Sequence, residues 1–194
     1  MRKVTLTYGL LAGAIISIIM VLSIALFQWQ TGEVNFDNAE FIGYGSMVIA
    51  LSMIFFGIKS YRDNYQNGSL KFVKGLQVGA LITLIASLMY ATTWETIYQT
   101  HPEIQTSFMD KYTEHSLNKM KAKGASPAEI DQKAKEMADM VEMYKNPVIR
   151  FGMTLLEILP VGVVVALICA AVLRRKDRQM SAGHFTVSPE GATR

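Results

Sequence analysis

Apolar residues run almost without interruption over four stretches, residues 9–27, 41–58, 75–97 and 150–173, and polar residues gather between them. A bilayer core of ~30 Å is crossed by about 20 helical residues at ~1.5 Å each, so each stretch is predicted to be a transmembrane helix. The first two hold no charged residue, the third none before Glu95, and the fourth, from Phe151 onward, only Glu157. The fold class expected is all-α: a polytopic membrane protein of four transmembrane helices, a single membrane domain over residues 1–194.

A different pattern fills residues 101–147. "SPAE" at Ser126 to Glu129 reads as a helix start, with Ser126 as N-cap, Pro127 in the first turn and Glu129 placed to complete a capping box. From there Ile130, Ala134, Met137, Val141 and Tyr144 fall alternately four and three apart, an apolar seam along one helix face. The preceding segment sets Ile104, Phe108, Tyr112 and Met120 on one broad side and Glu103, Asp110, Glu114 and Lys121 opposite. Two antiparallel helices joined at Lys123-Gly124-Ala125-Ser126 would bury these stripes as an extracytoplasmic helical hairpin between spans three and four. The alternative lays one stripe on the membrane surface or on a partner's helix; Met109, Met120, Met137, Met140 and Met143 suit either arrangement.

Composition agrees with this reading, since 51% of residues are hydrophobic and mean hydropathy is +0.23. Charge then orients the spans. Segments 1–8, 59–74 and 174–194 together hold 11 Lys/Arg, whereas 28–40 holds none. By the positive-inside rule the basic segments are cytoplasmic, which puts both termini inside and leaves residues 177–194 as a flexible cytoplasmic tail. Trp29, Trp94 and Tyr98 would mark the outer boundary, and Tyr8, Tyr61 and Tyr65 the inner one. No A-x-A site follows the first run, so a cleaved leader is not expected. The loop "KSYRDNYQNGSLKFVK" carries turn chemistry at Asn67-Gly68 and reads as a topology determinant, with contact to anionic lipid or a partner as the sharper alternative.

Small residues recur at helical spacing. Gly9 with Gly13 and Gly75 with Gly79 form G-x-x-x-G pairs, and Gly162, Ala166 and Ala170 form a related run. Such spacing lets helix backbones approach closely in a bilayer, either within one chain or across a dimer. Spans one and three also share the pattern of "GLLAGAIISII" and "GLQVGALITLI", which leaves open a parallel duplication.

Candidate chemistry is sparse. There is no Walker loop, no G-x-S-x-G, no H-E-x-x-H and no C-x-x-C, and the single cysteine, Cys169, lies inside a span. His101, His115 and His184 have no metal-ligand spacing, so neither catalytic residues, nor a metal, nor a cofactor is expected. The inner basic segments are too short for a nucleic-acid reading module. What remains is "TLLEILPVG", where Glu157 lies ~10 Å along the helix from the boundary at Arg150. A carboxylate at that depth should be neutral, paired or turned to a polar interior. Pro160 removes the hydrogen bond that the Leu156 carbonyl would accept, and is expected to kink the helix. Tyr44, Ser46, Tyr90, Thr92 and Thr93 are the possible partners of Glu157, Tyr44 and Tyr90 first among them. Arg150 is expected to point outward.

On "YGLLAG", "IGYGSMVIALSMIFFGIKSYRD", "KMKAKGASPAEI" and "MYKNPVIRFGMTLLEILPVGVVVALICAAVLRRK", the chain resembles a bacterial membrane family, domain of unknown function 4199 (DUF4199). The resemblance implies a four-span plasma-membrane protein and brings no activity or site residue with it. Two functions follow as expectations: a non-enzymatic scaffold or accessory subunit of a membrane assembly, or a small oligomeric transporter or channel using Glu157 and the Pro160 kink. The expected partners are the lipid bilayer and either a second copy or another membrane protein.

Overall fold

The computed structural model describes residues 1–30 and 36–175, and within them all side chains except those of residues 26–40, 103 and 106. The Trp29 side chain, His184 and the tail at 177–194 therefore lie outside the description. The chain is all-helical, at 89% helix with no strand among the described residues. The helices are α1 (Arg2–Gln30), α2 (Phe36–Leu51), α3 (Met53–Tyr65), α4 (Phe72–Thr100), α5 (Pro102–Ala122), α6 (Pro127–Tyr144) and α7 (Pro147–Leu173). Among the described residues, four segments are long and apolar enough to cross a membrane: Arg2–Ala25, Phe41–Tyr65, Phe72–Thr100 and Pro147–Leu173.

These helices outrun the apolar stretches because their ends are set by backbone chemistry rather than hydropathy. At α7 the Asn146 side chain accepts from the amides of Val148 and Ile149, with Pro147 in the first turn. The second span, read from sequence as one helix over 41–58, is divided at Ser52 and continues to Tyr65. Ser52 Oγ donates to the Ile49 carbonyl at 2.6 Å, a local bond that competes with the helical ladder.

The core forms around α4, which lies against α1, α3 and α7. Small residues make this possible. A Cβ on Gly79 would stand 2.7 Å from Ala166 Cβ, and one on Gly75 would stand 3.2 Å from Ala170 Cβ; one on Gly162 would overlap Thr83. Read in order, residues 75, 79 and 83 of α4 meet 170, 166 and 162 of α7, an antiparallel seam with one contact per turn. Gly9 and Gly13 of α1 meet Ile85 and Met89 on another side of α4. Without a hydrophobic force between helices in lipid, this close backbone approach supplies the packing attraction. Ile54, Ile58, Val78, Ile82 and Ile158 complete the buried center, each at 0% exposure.

One end of the bundle is closed by backbone pairing. After α3 the chain turns at Asn67 and Gly68, whose φ values of 47° and 78° occupy the left-handed region that Asn and Gly tolerate. Leu70 then exchanges two backbone hydrogen bonds with Arg175, at 3.0 and 3.1 Å, which fastens the start of α4 to the end of α7. At the other end α5 packs on α4 and α6, and α6 leads back to α7.

Candidate functional site

Where α4 ends and α7 begins, Glu95 and Arg150 meet. Arg150 Nε donates to Glu95 Oε2 at 2.8 Å and Nη2 donates to Oε1, a two-pronged fit that a planar guanidinium makes and an ammonium does not. The third arm, Nη1, donates to the Tyr144 carbonyl at 2.9 Å. The face of the guanidinium lies 3.9 Å from the center of the Tyr98 ring. Gln99 Nε2 donates to the same Glu95 carboxylate at 2.6 Å. Both charges are largely withdrawn from solvent, with side chains 4% and 16% exposed.

Aromatic rings wrap this pair. Trp94 Nε1 donates to the Tyr144 hydroxyl at 2.7 Å. Trp94 packs on Phe108, centroids 5.1 Å apart, and Tyr98 meets Tyr144 edge to face at 5.6 Å. Ile97, Tyr98 and Ile104 are buried beneath, backed by Met20 and Ile24 of α1. Burial, above all, holds the Tyr144 phenol well above its ordinary value, although the Trp94 bond and the Arg150 charge pull the other way. The group therefore stays a neutral hydroxyl. Gln105 adds a bond from α5 to the Tyr98 carbonyl at 2.9 Å. One cluster thus joins the ends of α4, α5, α6 and α7.

Arg150 reaches toward the hairpin, to Tyr144 and Tyr98, and away from Glu157, but it is buried there instead of exposed. Burial costs it headgroup hydration, and the Glu95 carboxylate, a carbonyl and an aromatic face replace that hydration together.

Of the residues first singled out, Glu157 lies near enough to Tyr90 and Tyr144 for its charge to bear on both phenols, but it is no part of the Glu95–Arg150 hydrogen-bond network. Glu157 is exposed on the flank of α7 and makes no hydrogen bond among the described residues. Tyr44 is 56% exposed on α2, and Tyr90 packs against the buried core. Neither phenol is hydrogen-bonded to Glu157. Ser46, Thr92 and Thr93 donate instead to carbonyls of their own helices, those of Gly43, Leu88 and Met89. Thr93 Oγ1 is also hydrogen-bonded to Ser17 Oγ of α1, at 2.9 Å. Pro160 sits inside α7, which is continuous from Pro147 to Leu173. Among the described residues no three His, Cys, Asp or Glu side chains converge as metal ligands would.

The cluster was missed because Glu95 and Arg150 each read as the charged end of an apolar run. Their opposite signs at the ends of two spans that share a boundary, each within a turn or two of Trp94, Tyr98 or Tyr144, were the available signal.

Comparison with curated proteins and with solved structures finds no match. A family model described as "Protein of unknown function (DUF4199)" does match, over residues 7–175; that span is most of the chain, and the protein belongs to this family.

Proposed function

We propose that this protein is a non-enzymatic scaffold or accessory subunit of an assembly in the bacterial plasma membrane, presenting α5 and α6 as a helical hairpin on the extracytoplasmic side. The carrying observation is the Glu95–Arg150 cluster, which ties that hairpin to two spans through charge, ring and backbone contacts at once. A hairpin held in this way presents a fixed surface, which lowers the ordering cost of binding a partner. Among the described residues, the polar groups of the cluster hold helices together and do not line up a nucleophile, a base and an orienting group. The charge distribution supports cytoplasmic termini, because the basic residues of the α3–α4 turn and of the end of α7 collect at one end of the bundle.

The test is chemical cross-linking and co-purification from native membranes, comparing the full chain with one in which residues 102–147 are replaced by a short Gly/Ser linker. A scaffold of this kind loses a reproducible set of partners with the hairpin. If every partner is retained, recruitment through the hairpin is wrong.

A further inference from the structure

We propose that the outward face shared by α2 and α7 is the interface of a two-fold homodimer, in which Tyr44 of each copy donates a hydrogen bond to Glu157 of the partner subunit. Two polar side chains within the spans lead to this. Glu157 is exposed and Tyr44 is 56% exposed, and neither is hydrogen-bonded to any described residue. Within a span, a carboxyl group and a phenol that have no hydrogen-bond partner in their own chain are costly, because no water replaces one.

Position makes them complementary. Ile54 and Ala166 both touch the place of a Cβ on Gly79, so they stand at one level in the bundle. The second and fourth spans run in the same direction, and nine residues back from Ala166 and Ile54 lie Glu157 and Gly45. Tyr44 is therefore level with Glu157 to within about one helical turn, ~5 Å. A two-fold axis along the membrane normal preserves depth, so only residues at equal depth can meet across it, and these two do. The helices that carry them touch and both side chains are exposed, which fits donor and acceptor on one surface. A surface bearing both halves of a bond is self-complementary, which an isologous dimer requires and an unrelated partner would have to match twice.

Apolar side chains continue the surface. Phe41 and Val48 flank Tyr44 at 82% and 60% exposure, one turn to either side. Val164 and Ile168 follow Glu157 and Pro160 along α7 at 54% and 57%. The G-x-x-x-G faces are spent inside the chain, so this surface, rather than the glycines, is assigned to association.

The experiment uses full-length chains in native membranes. With Cys169→Ala as background, two differently tagged chains are co-expressed, one carrying Tyr44→Cys and the other Glu157→Cys. Each mixed dimer keeps one of its two proposed bonds, since the first chain retains Glu157 and the second Tyr44. Mild oxidation is expected to give a disulfide-linked pair bearing both tags, and a control pairing Ile18→Cys with Glu157→Cys is expected to give none. No link in the first pair, equal linking in both, or Glu157→Cys linking only to a different protein overturns the proposal. As a second measurement, Glu157→Leu in the wild-type background should weaken dimerisation in lipid vesicles on the order of tenfold, and Glu157→Gln by much less. Leucine suits a lipid-facing span, so unchanged or tighter association in that variant also overturns it.

Discussion

Arg150 is the side chain whose removal should be felt most at its end of the bundle. It is 4% exposed and satisfies a carboxylate, a carbonyl and a ring face. Arg150→Ala leaves the Glu95 charge in a site 16% exposed with Gln99 as its remaining donor, and breaking a pair so placed costs about 3 kcal/mol. The expected outcome is a clear fall in the midpoint of a detergent-denaturation curve. Arg150→Lys should recover only part of it, because an ammonium cannot make two parallel bonds and stack at the same time. Pairing Arg150→Met with Glu95→Gln should recover more than either single change predicts, since no uncompensated charge then remains. If Arg150→Ala unfolds at the wild-type midpoint, the pair contributes nothing. This contact was hard to read in the sequence for a physical reason. Hydropathy registers each charge only as the end of an apolar run, and the two partners are 55 residues apart. Glu157, conspicuous because it interrupts such a run, carries no bond within the chain.

Helix pairing rests on two local devices that answer to different tests. Along the α4–α7 seam, Gly79→Leu forces a side chain into a place where a Cβ alone would come within 2.7 Å of Ala166; overpacking of this kind costs about 1–3 kcal/mol. Gly152→Ala is the control, for nothing lies within 4 Å of a Cβ there, and the change should be neutral or slightly stabilising in the same denaturation curve. Equal effects would mean that the seam is not a close contact. At α6 the device is the capping box, in which Ser126 Oγ accepts from the Glu129 amide and the Glu129 carboxylate accepts from the Ser126 amide at 2.8 Å. The bond from the Ser126 backbone, and then that from its hydroxyl, hold the Glu129 carboxyl below its ordinary value of 4.5. A depressed carboxyl stabilises the folded form above the unfolded value, and that support is lost as pH falls from 4.5 through the folded value. Hydrogen exchange at the first turn of α6 should therefore speed up relative to the rest of the helix below that pH, and Glu129→Gln, which has no carboxyl to titrate, should remove the difference. The capping box was legible because its four residues are contiguous. The α5 face was less so: Met109 is buried, while Tyr112, placed on the apolar side from sequence, is 37% exposed. The face α5 buries is set by its docking against α4 and α6, which its own periodicity does not encode.

Charge and backbone pairing together give the whole bundle one markedly basic end. The Leu70–Arg175 clasp draws the α3–α4 turn and the end of α7 to one end, and with them Lys59, Arg62, Lys71, Arg174 and Arg175. At the opposite end the charges are largely mutual, Glu95 with Arg150 and Lys145 with Glu142, which leaves little net positive charge to resist export. Short loops rich in Lys and Arg stay on the cytoplasmic side, so the orientation proposed above places the clasp end in the cytoplasm and the α5–α6 turn outside. The residues that weigh most under this rule lie next to the spans, and Lys59, Arg62, Lys71, Arg174 and Arg175 do. Asn64 and Lys123 are exposed at the two ends, so each can report on its side. In a Cys169→Ala background, Lys123→Cys in intact cells whose outer barrier is permeable should react with a membrane-impermeant maleimide. Asn64→Cys should react only after the inner membrane is opened. Reaction at Asn64→Cys in intact cells, with Lys123→Cys protected, would invert the molecule and place the hairpin among cytoplasmic partners. That result would leave the four-helix packing and the Glu95–Arg150 cluster unchanged, because neither depends on which side faces the cytoplasm; it would overturn only the proposed role of the hairpin outside the cell.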